Sequence, residues 1–442
     1  MTLSTPFARR VMGVFASRVV RFVLGFVISF TLAKILGPAG RGIYSVATLT
    51  PTTLVNLGHL GLPNAFSFFA GRGRSGARLL VLGLVFSAVL SMVLLGITLV
   101  ALPLLADTVL RAAPLELLVL AVVTIPFQLI AAFAGATLIG RQTMRNYNLI
   151  LIGQSVLMVL LIVGLVGIAG LGVTGAVIAT IVVSVLTALA TMIELRRSIA
   201  ADPEDPARRP VRIRELGSFG AKIYPASLAG FFGYRADVFM LSALLGDPRA
   251  IGLYTLGVSL AELTFFVPDA VSTVFFPRVA GMERQSADEK VAAVTRFTVL
   301  ITLIATLGLI PAAFLAVHLV LPDFRDSLPP FLVLLPGIIC LTVAKVLASY
   351  VGGLGIPLRV AVASGSALAV NIVANFLLIP PLGIMGAAVA SLISYTLNAT
   401  LLLSIASRLS RRGPLDFVLP TGAEIRRLRD GLGEAGAMLR RS

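Results

Sequence analysis

The chain repeats itself at an interval of about 210 residues, and both copies are apolar along nearly their whole length. Leu36-Gly37 followed by Gly42-Ile43-Tyr44 returns as Leu245-Gly246 followed by Gly252-Leu253-Tyr254. Leu171-Gly172-Val173-Thr174-Gly175-Ala176 returns as Leu382-Gly383-Ile384-Met385-Gly386-Ala387. A duplicated apolar unit restricts the fold to two like halves packed against each other. In membrane proteins such halves rock about a site between them, so the repeat points to transport.

Hydrophobic residues make up 57% of the chain and charged residues 13%, too few to coat a soluble domain of 442 residues. Apolar stretches recur at 11–36, 43–70, 79–106, 115–139, 147–169 and 173–195, then at 216–245, 250–277, 291–320, 328–351, 357–380 and 384–407. Each is long enough to cross about 30 Å of hydrocarbon as a helix, the form that satisfies its own backbone in lipid. The expected fold is therefore an all-α polytopic membrane protein with twelve transmembrane helices in two pseudo-symmetric six-helix lobes.

The net charge of +16 does not call for nucleic acid. With the N-terminus inside, Arg72, Arg74, Arg78, Arg141, Arg145, Arg196 and Arg197 fall on the inner side, together with most other loop cations. The outer loops carry Arg41, Arg111, Arg249 and Arg325. This positive-inside bias puts both termini in the cytoplasm and makes anionic membrane lipids the partner of the excess charge. The expected divisions are an N-lobe at 1–200, a cytoplasmic linker at 201–215, a C-lobe at 216–410 and a basic tail at 411–442. In the tail, Ile425, Leu428, Leu432, Ala435 and Leu439 form an apolar stripe suited to a helix on the inner leaflet. Cys340 is the single cysteine, which rules out disulfide frameworks and cysteine metal sites.

Charges within or at the edges of spans mark function, because each costs about 2.5 to 3.5 kcal/mol at the bilayer centre. Arg18 and Arg21 share one face of the first span and are the leading anion-binding candidates, with Arg235 as their counterpart in the seventh. Asp237 and Glu262 either carry a coupling proton or sodium ion or balance Arg235. Lys34, Lys222, Asp269 and Lys345 complete the set. Asn371 and Asn375, one turn apart, could contact sugar hydroxyls or bridge helices. His59, among Asn56, Gly58, Gly61 and Pro63, suggests a broken helix and a neutral histidine. Gly71-Arg72-Gly73-Arg74-Ser75-Gly76 fits a dinucleotide pattern only formally, since no strand precedes it. No metal or other cofactor is expected.

Several segments together resemble the polysaccharide, or O-antigen, flippases of the multidrug/oligosaccharidyl-lipid/polysaccharide exporter superfamily. They are Leu36 to Tyr44, Leu60-Gly61-Leu62-Pro63, Tyr234-Arg235-Ala236-Asp237, Leu253-Tyr254 with Glu262, and Asn375 to Pro380 leading to Gly383 to Ala387. The resemblance covers all but the basic tail. It implies movement of an undecaprenyl-diphosphate-linked glycan to the outer leaflet of a bacterial inner membrane, for surface polysaccharide or lipopolysaccharide, beside other polysaccharide-assembly proteins. A cation-coupled multidrug exporter of the same superfamily would favour acidic cavities. A membrane glycan polymerase or transferase would carry a long polar outer loop, and no outer loop here exceeds about a dozen residues.

Overall fold

The computed structural model describes residues 5–201, 210–280 and 282–419, with side chains from residue 20 onward except at 22, 273, 274, 276–278 and 280. Much of the expected linker and all of the expected tail stripe lie outside those residues. The helices run in order as α1 (Thr5–Gly58), α2 (Leu62–Gly71), α3 (Gly76–Thr108), α4 (Leu115–Val122), α5 (Ile125–Gly140), α6 (Met144–Leu161) and α7 (Gly172–Ala201). They continue as α8 (Ile213–Leu244), α9 (Pro248–Glu262), α10 (Phe266–Ala280), α11 (Arg284–Val320), α12 (Leu328–Gly353), α13 (Pro357–Leu382) and α14 (Ile384–Ser410). No strand occurs among the described residues.

Ten helices there are long and apolar enough to cross a membrane, so this is a multi-pass membrane protein. The count differs from the expected twelve for physical reasons. Two expected spans are joined in α1, where Gly37 (φ 67°, ψ −179°) breaks helical geometry. The seventh expected span, α8, is not among the ten, and it carries Arg214, Glu215, Lys222, Arg235 and Asp237. Apolar side chains also face outward, as lipid demands: Met92 is 77% and Val100 84% exposed.

The repeat is visible in backbone detail. Gly37 and Gly246 both take left-handed conformations, φ 67° and 64°, at the corner before a helix that begins with proline, Pro38 or Pro248. Those two helices then cross each other. A Cβ on Gly42 would lie 1.8 Å from Pro248 O, and a Cβ on Gly252 would lie 1.8 Å from Pro38 O. The reciprocity extends to Ser45, whose hydroxyl reaches the Thr255 hydroxyl at 3.4 Å. Equivalent residues of the two copies thus meet across a local two-fold axis, at backbone contact that only glycine permits. Gly42→Val and Gly252→Val are each expected to destabilise by about 1 to 3 kcal/mol or more, because backbone must move to admit the side chain. Thermal unfolding in detergent checks this, with Gly25→Val, at a site with no atom within 4 Å of the added Cβ, as the tolerated control.

A second contact between the halves lies beyond the end of α1. A Cβ on Gly61 would fall 2.4 Å from Gly220 O, and the Tyr224 hydroxyl donates to Leu57 O. Between these contacts runs a shared core that includes Ala33, Val46, Ala47 and Val177 from the first half and Leu253, Tyr254, Leu256 and Phe331 from the second.

Candidate functional site

Two expected spans lose helical continuity partway along. In the first half α1 ends at Gly58, and Leu60 (φ 49°) and Gly61 (φ 72°) turn the chain before α2. The Gly61 N–H donates to His59 Nδ1 at 3.1 Å, which requires that ring nitrogen to be unprotonated. In the second half α9 ends at Glu262, and a 3₁₀ turn over Leu263–Phe265 leads into α10. Broken helices free backbone groups and place end residues in the middle of a protein, where membrane transporters build binding sites.

Glu262 occupies such an end. Arg235 on α8 meets it with both arms, Nη1 to Oε1 at 3.2 Å and Nη2 to Oε2 at 3.3 Å. Both side chains stay accessible, 37% for Arg235 and 27% for Glu262. Near the same turn Lys345 Nζ pairs with Asp269 at 2.6 Å and lies 4.1 Å from the centre of the Phe265 ring. Two ion pairs therefore follow the broken helix, and the Lys345 ammonium of the second also lies over the Tyr234 and Phe265 rings.

Asp237 points elsewhere, because two residues along a helix rotate a side chain by about 200°. It is buried, and accepts hydrogen bonds from the Tyr254 hydroxyl and from Ser391 Oγ at 3.4 Å. No ion pair of Asp237 occurs among the described residues, so Glu262 alone supplies Arg235's carboxylate. Asn371 and Asn375 are 1% and 0% exposed, and Asn375 donates to Asn371 Oδ1 at 3.0 Å. At that depth the pair presents no surface to a sugar in this conformation. Arg18 lies outside the described side chains. Arg21 lies on α1 within electrostatic range of Tyr147 of α6. Lys34 donates to Val320 O at 2.9 Å, and Lys222 is exposed.

Arg41 is the residue that sequence reasoning misplaced. The spans suggest an outer loop, yet the helix already begins at Pro38, and Arg41 is 5% exposed beside the glycine crossing. Its guanidinium donates to Ser29 O at 2.6 Å, Ser29 Oγ at 2.9 Å and, across the two-fold, Ser259 Oγ at 3.1 Å. Its Nε has no hydrogen-bond partner among the described residues. The proline at the helix start was the available signal.

The family described as polysaccharide biosynthesis protein matches residues 7–283. The chain belongs to that family. No curated protein sequence matches it. Among solved structures, this chain resembles the lipid II flippase MurJ in an inward closed conformation, with a TM-score of 0.72 at 15% identity, covering 92% of this chain and 88% of MurJ. An inward-facing multidrug resistance transporter of the MATE family and MOP superfamily gives a TM-score of 0.67 at 16% identity, covering 89% and 99% of the two chains. A MOP superfamily transporter from Pyrococcus furiosus gives 0.60 at 15% identity, covering 91% and 95%. At these identities the likeness establishes a shared fold.

Proposed function

We propose that the protein is a flippase for polyprenyl-diphosphate-linked oligosaccharide, with twelve spans in two six-helix lobes that open alternately to either leaflet of a bacterial inner membrane. The observation that carries this reading is the Arg235–Glu262 pair. A guanidinium that is held bidentately yet more than a third exposed, at a broken helix beside the contact between halves, is ready to exchange its carboxylate for a diphosphate. Arg18 and Arg21 supply further positive charge from the first lobe. A diphosphate does not enter hydrocarbon without such partners. The glycan crosses through water between the lobes while the polyprenyl tail stays in lipid.

Asp237 has a separate role in this account. Being buried, hydrogen-bonded to Tyr254 and unpaired with Arg235, it is the carboxylate suited to take up a coupling proton or sodium ion. Asp237→Asn is expected to leave cargo binding within about threefold of wild type while removing the response of transport to an ion gradient. Gradient-driven transport at the wild-type rate would reassign Asp237 to packing.

The cargo is tested with purified protein and three competitors: undecaprenyl diphosphate, the corresponding polyprenyl alcohol and a lipophilic drug cation. Diphosphate-dependent binding, with no competition from the cation, is the expected result. Preference for the cation would transfer the protein to drug export. Cysteines introduced at Pro206 and Gly413 are expected to react only with reagents on the cytoplasmic side, and labelling of either from outside would overturn the twelve-span topology.

A further inference from the structure

Arg41 is a cation that neither the Arg235–Glu262 pair nor the packing of the crossing accounts for. Its side chain is 5% exposed, no carboxylate pairs with it among the described residues, and its acceptors there are hydroxyls and carbonyls. A charge taken out of water is costly unless a counter-charge offsets it, so a guanidinium retained at such a place marks function. The crossing itself does not require one. Gly42 corresponds to Gly252 in the repeat, so the residue before it, Arg41, corresponds to Ile251, an apolar side chain that is 0% exposed.

The position of Arg41 relative to Arg235 identifies what it serves. On α9, Thr255, Ser259 and Glu262 are spaced i, i+4 and i+7 and share one helical face. Arg41 Nη2 lies against the first two, 3.4 Å from Thr255 O and 3.1 Å from Ser259 Oγ, while Arg235 grips the third. One face of one helix thus carries a cation from each half, with about 4.5 Å of helical rise between Ser259 and Glu262. In the proposed topology α9 runs inward from Pro248, which places Arg41 on the outer side of Arg235. Ser29 holds Nη1 and Nη2 from within the first half, whereas α9 meets Nη2 alone. Parting of the crossing removes the α9 acceptors and leaves Nη2 and the unpartnered Nε, which are neighbouring donors, open to two oxygens of one anion.

We propose that Arg41 is a second diphosphate-binding residue, covered while the crossing is closed and uncovered when the halves part, and that it takes the cargo's diphosphate over from Arg235 on the outward path. This assignment rests on the diphosphate reading of Arg235.

The test uses the full-length protein with Ser45→Cys and Thr255→Cys in detergent, treated with the arginine reagent phenylglyoxal and digested so that mass spectrometry reads Arg41 and Arg235 separately. Arg41 is expected to stay unmodified while the disulfide is closed and to react after reduction. Saturating undecaprenyl diphosphate should then lower its reactivity about tenfold, and undecaprenol should not. No modification after reduction, or modification that undecaprenyl diphosphate leaves unchanged while it protects Arg235, would overturn the assignment and leave the reading of Arg235 standing. Protection of neither arginine would remove both. In vesicles, Arg41→Gln is expected to slow outward transfer of a fluorescent polyprenyl-diphosphate oligosaccharide about tenfold, and Arg41→Lys to recover part of the rate. Binding of undecaprenyl diphosphate to the disulfide-closed protein should stay within about twofold in Arg41→Gln, because the guanidinium is covered there. A tenfold loss of that binding would make Arg41 architectural instead. The labelling changes nothing at Arg41, so it decides the matter even where Arg41→Gln fails to fold.

Discussion

Arg235→Gln is expected to stop transport of the proposed lipid-linked diphosphate cargo while leaving a folded protein. The expected loss in apparent cargo affinity is roughly 100-fold, corresponding to about 3 kcal/mol of charge-assisted hydrogen bonding. Arg235→Lys restores part of it, since charge remains and the two-armed geometry does not. The structure sharpens the control, because Arg235 pairs with Glu262 and not with Asp237. A purely architectural ion pair would be repaired by removing both charges, since the damage in either single variant comes from the charge left behind. Arg235→Gln combined with Glu262→Gln is therefore expected to fold and to remain inactive. Recovery of transport in that double variant would make the pair a packing device.

The second large effect follows from the crossing of equivalent helices. Ser45 and Thr255, with hydroxyls 3.4 Å apart, join the two halves next to Gly42 and Gly252. In the proposed alternating-access cycle this contact parts in one conformation. Ser45→Cys combined with Thr255→Cys should form a disulfide under oxidation and abolish transport almost completely, with full return on reduction. Each single cysteine variant should be unaffected by oxidant. Undiminished transport by the cross-linked protein would show that this crossing is a fixed hinge.

Much of this architecture was legible in the sequence because duplication and hydrophobicity are written into local residue order. Gly37 and Gly246 recur before equivalent prolines, and Gly42 and Gly252 recur before equivalent tyrosines, so the like contacts of the two halves follow from like sequence. The cluster around His59 likewise marked a broken helix. Partner choice was not legible. Arg235 and Asp237 are close in sequence but on opposite faces of α8, whereas Glu262 reaches Arg235 only through the fold. Asn371 and Asn375 show the same limit: one turn apart, they share a face, but only the packing of α8, α13 and α14 determines that this face is buried. Arg41 escaped because charge next to a span boundary reads as loop, while Pro38 had already started the helix.

The central claim is that Arg235, accessible in its pair with Glu262, holds a diphosphate during transfer across the membrane. It is tested most directly by reconstituting the protein in vesicles with a fluorescent polyprenyl-diphosphate oligosaccharide in the inner leaflet and measuring its appearance outside with a membrane-impermeant quencher. The account predicts transfer by wild type, none by Arg235→Gln, and none by the oxidised Ser45→Cys, Thr255→Cys protein until it is reduced. Transfer by Arg235→Gln at the wild-type rate would contradict it.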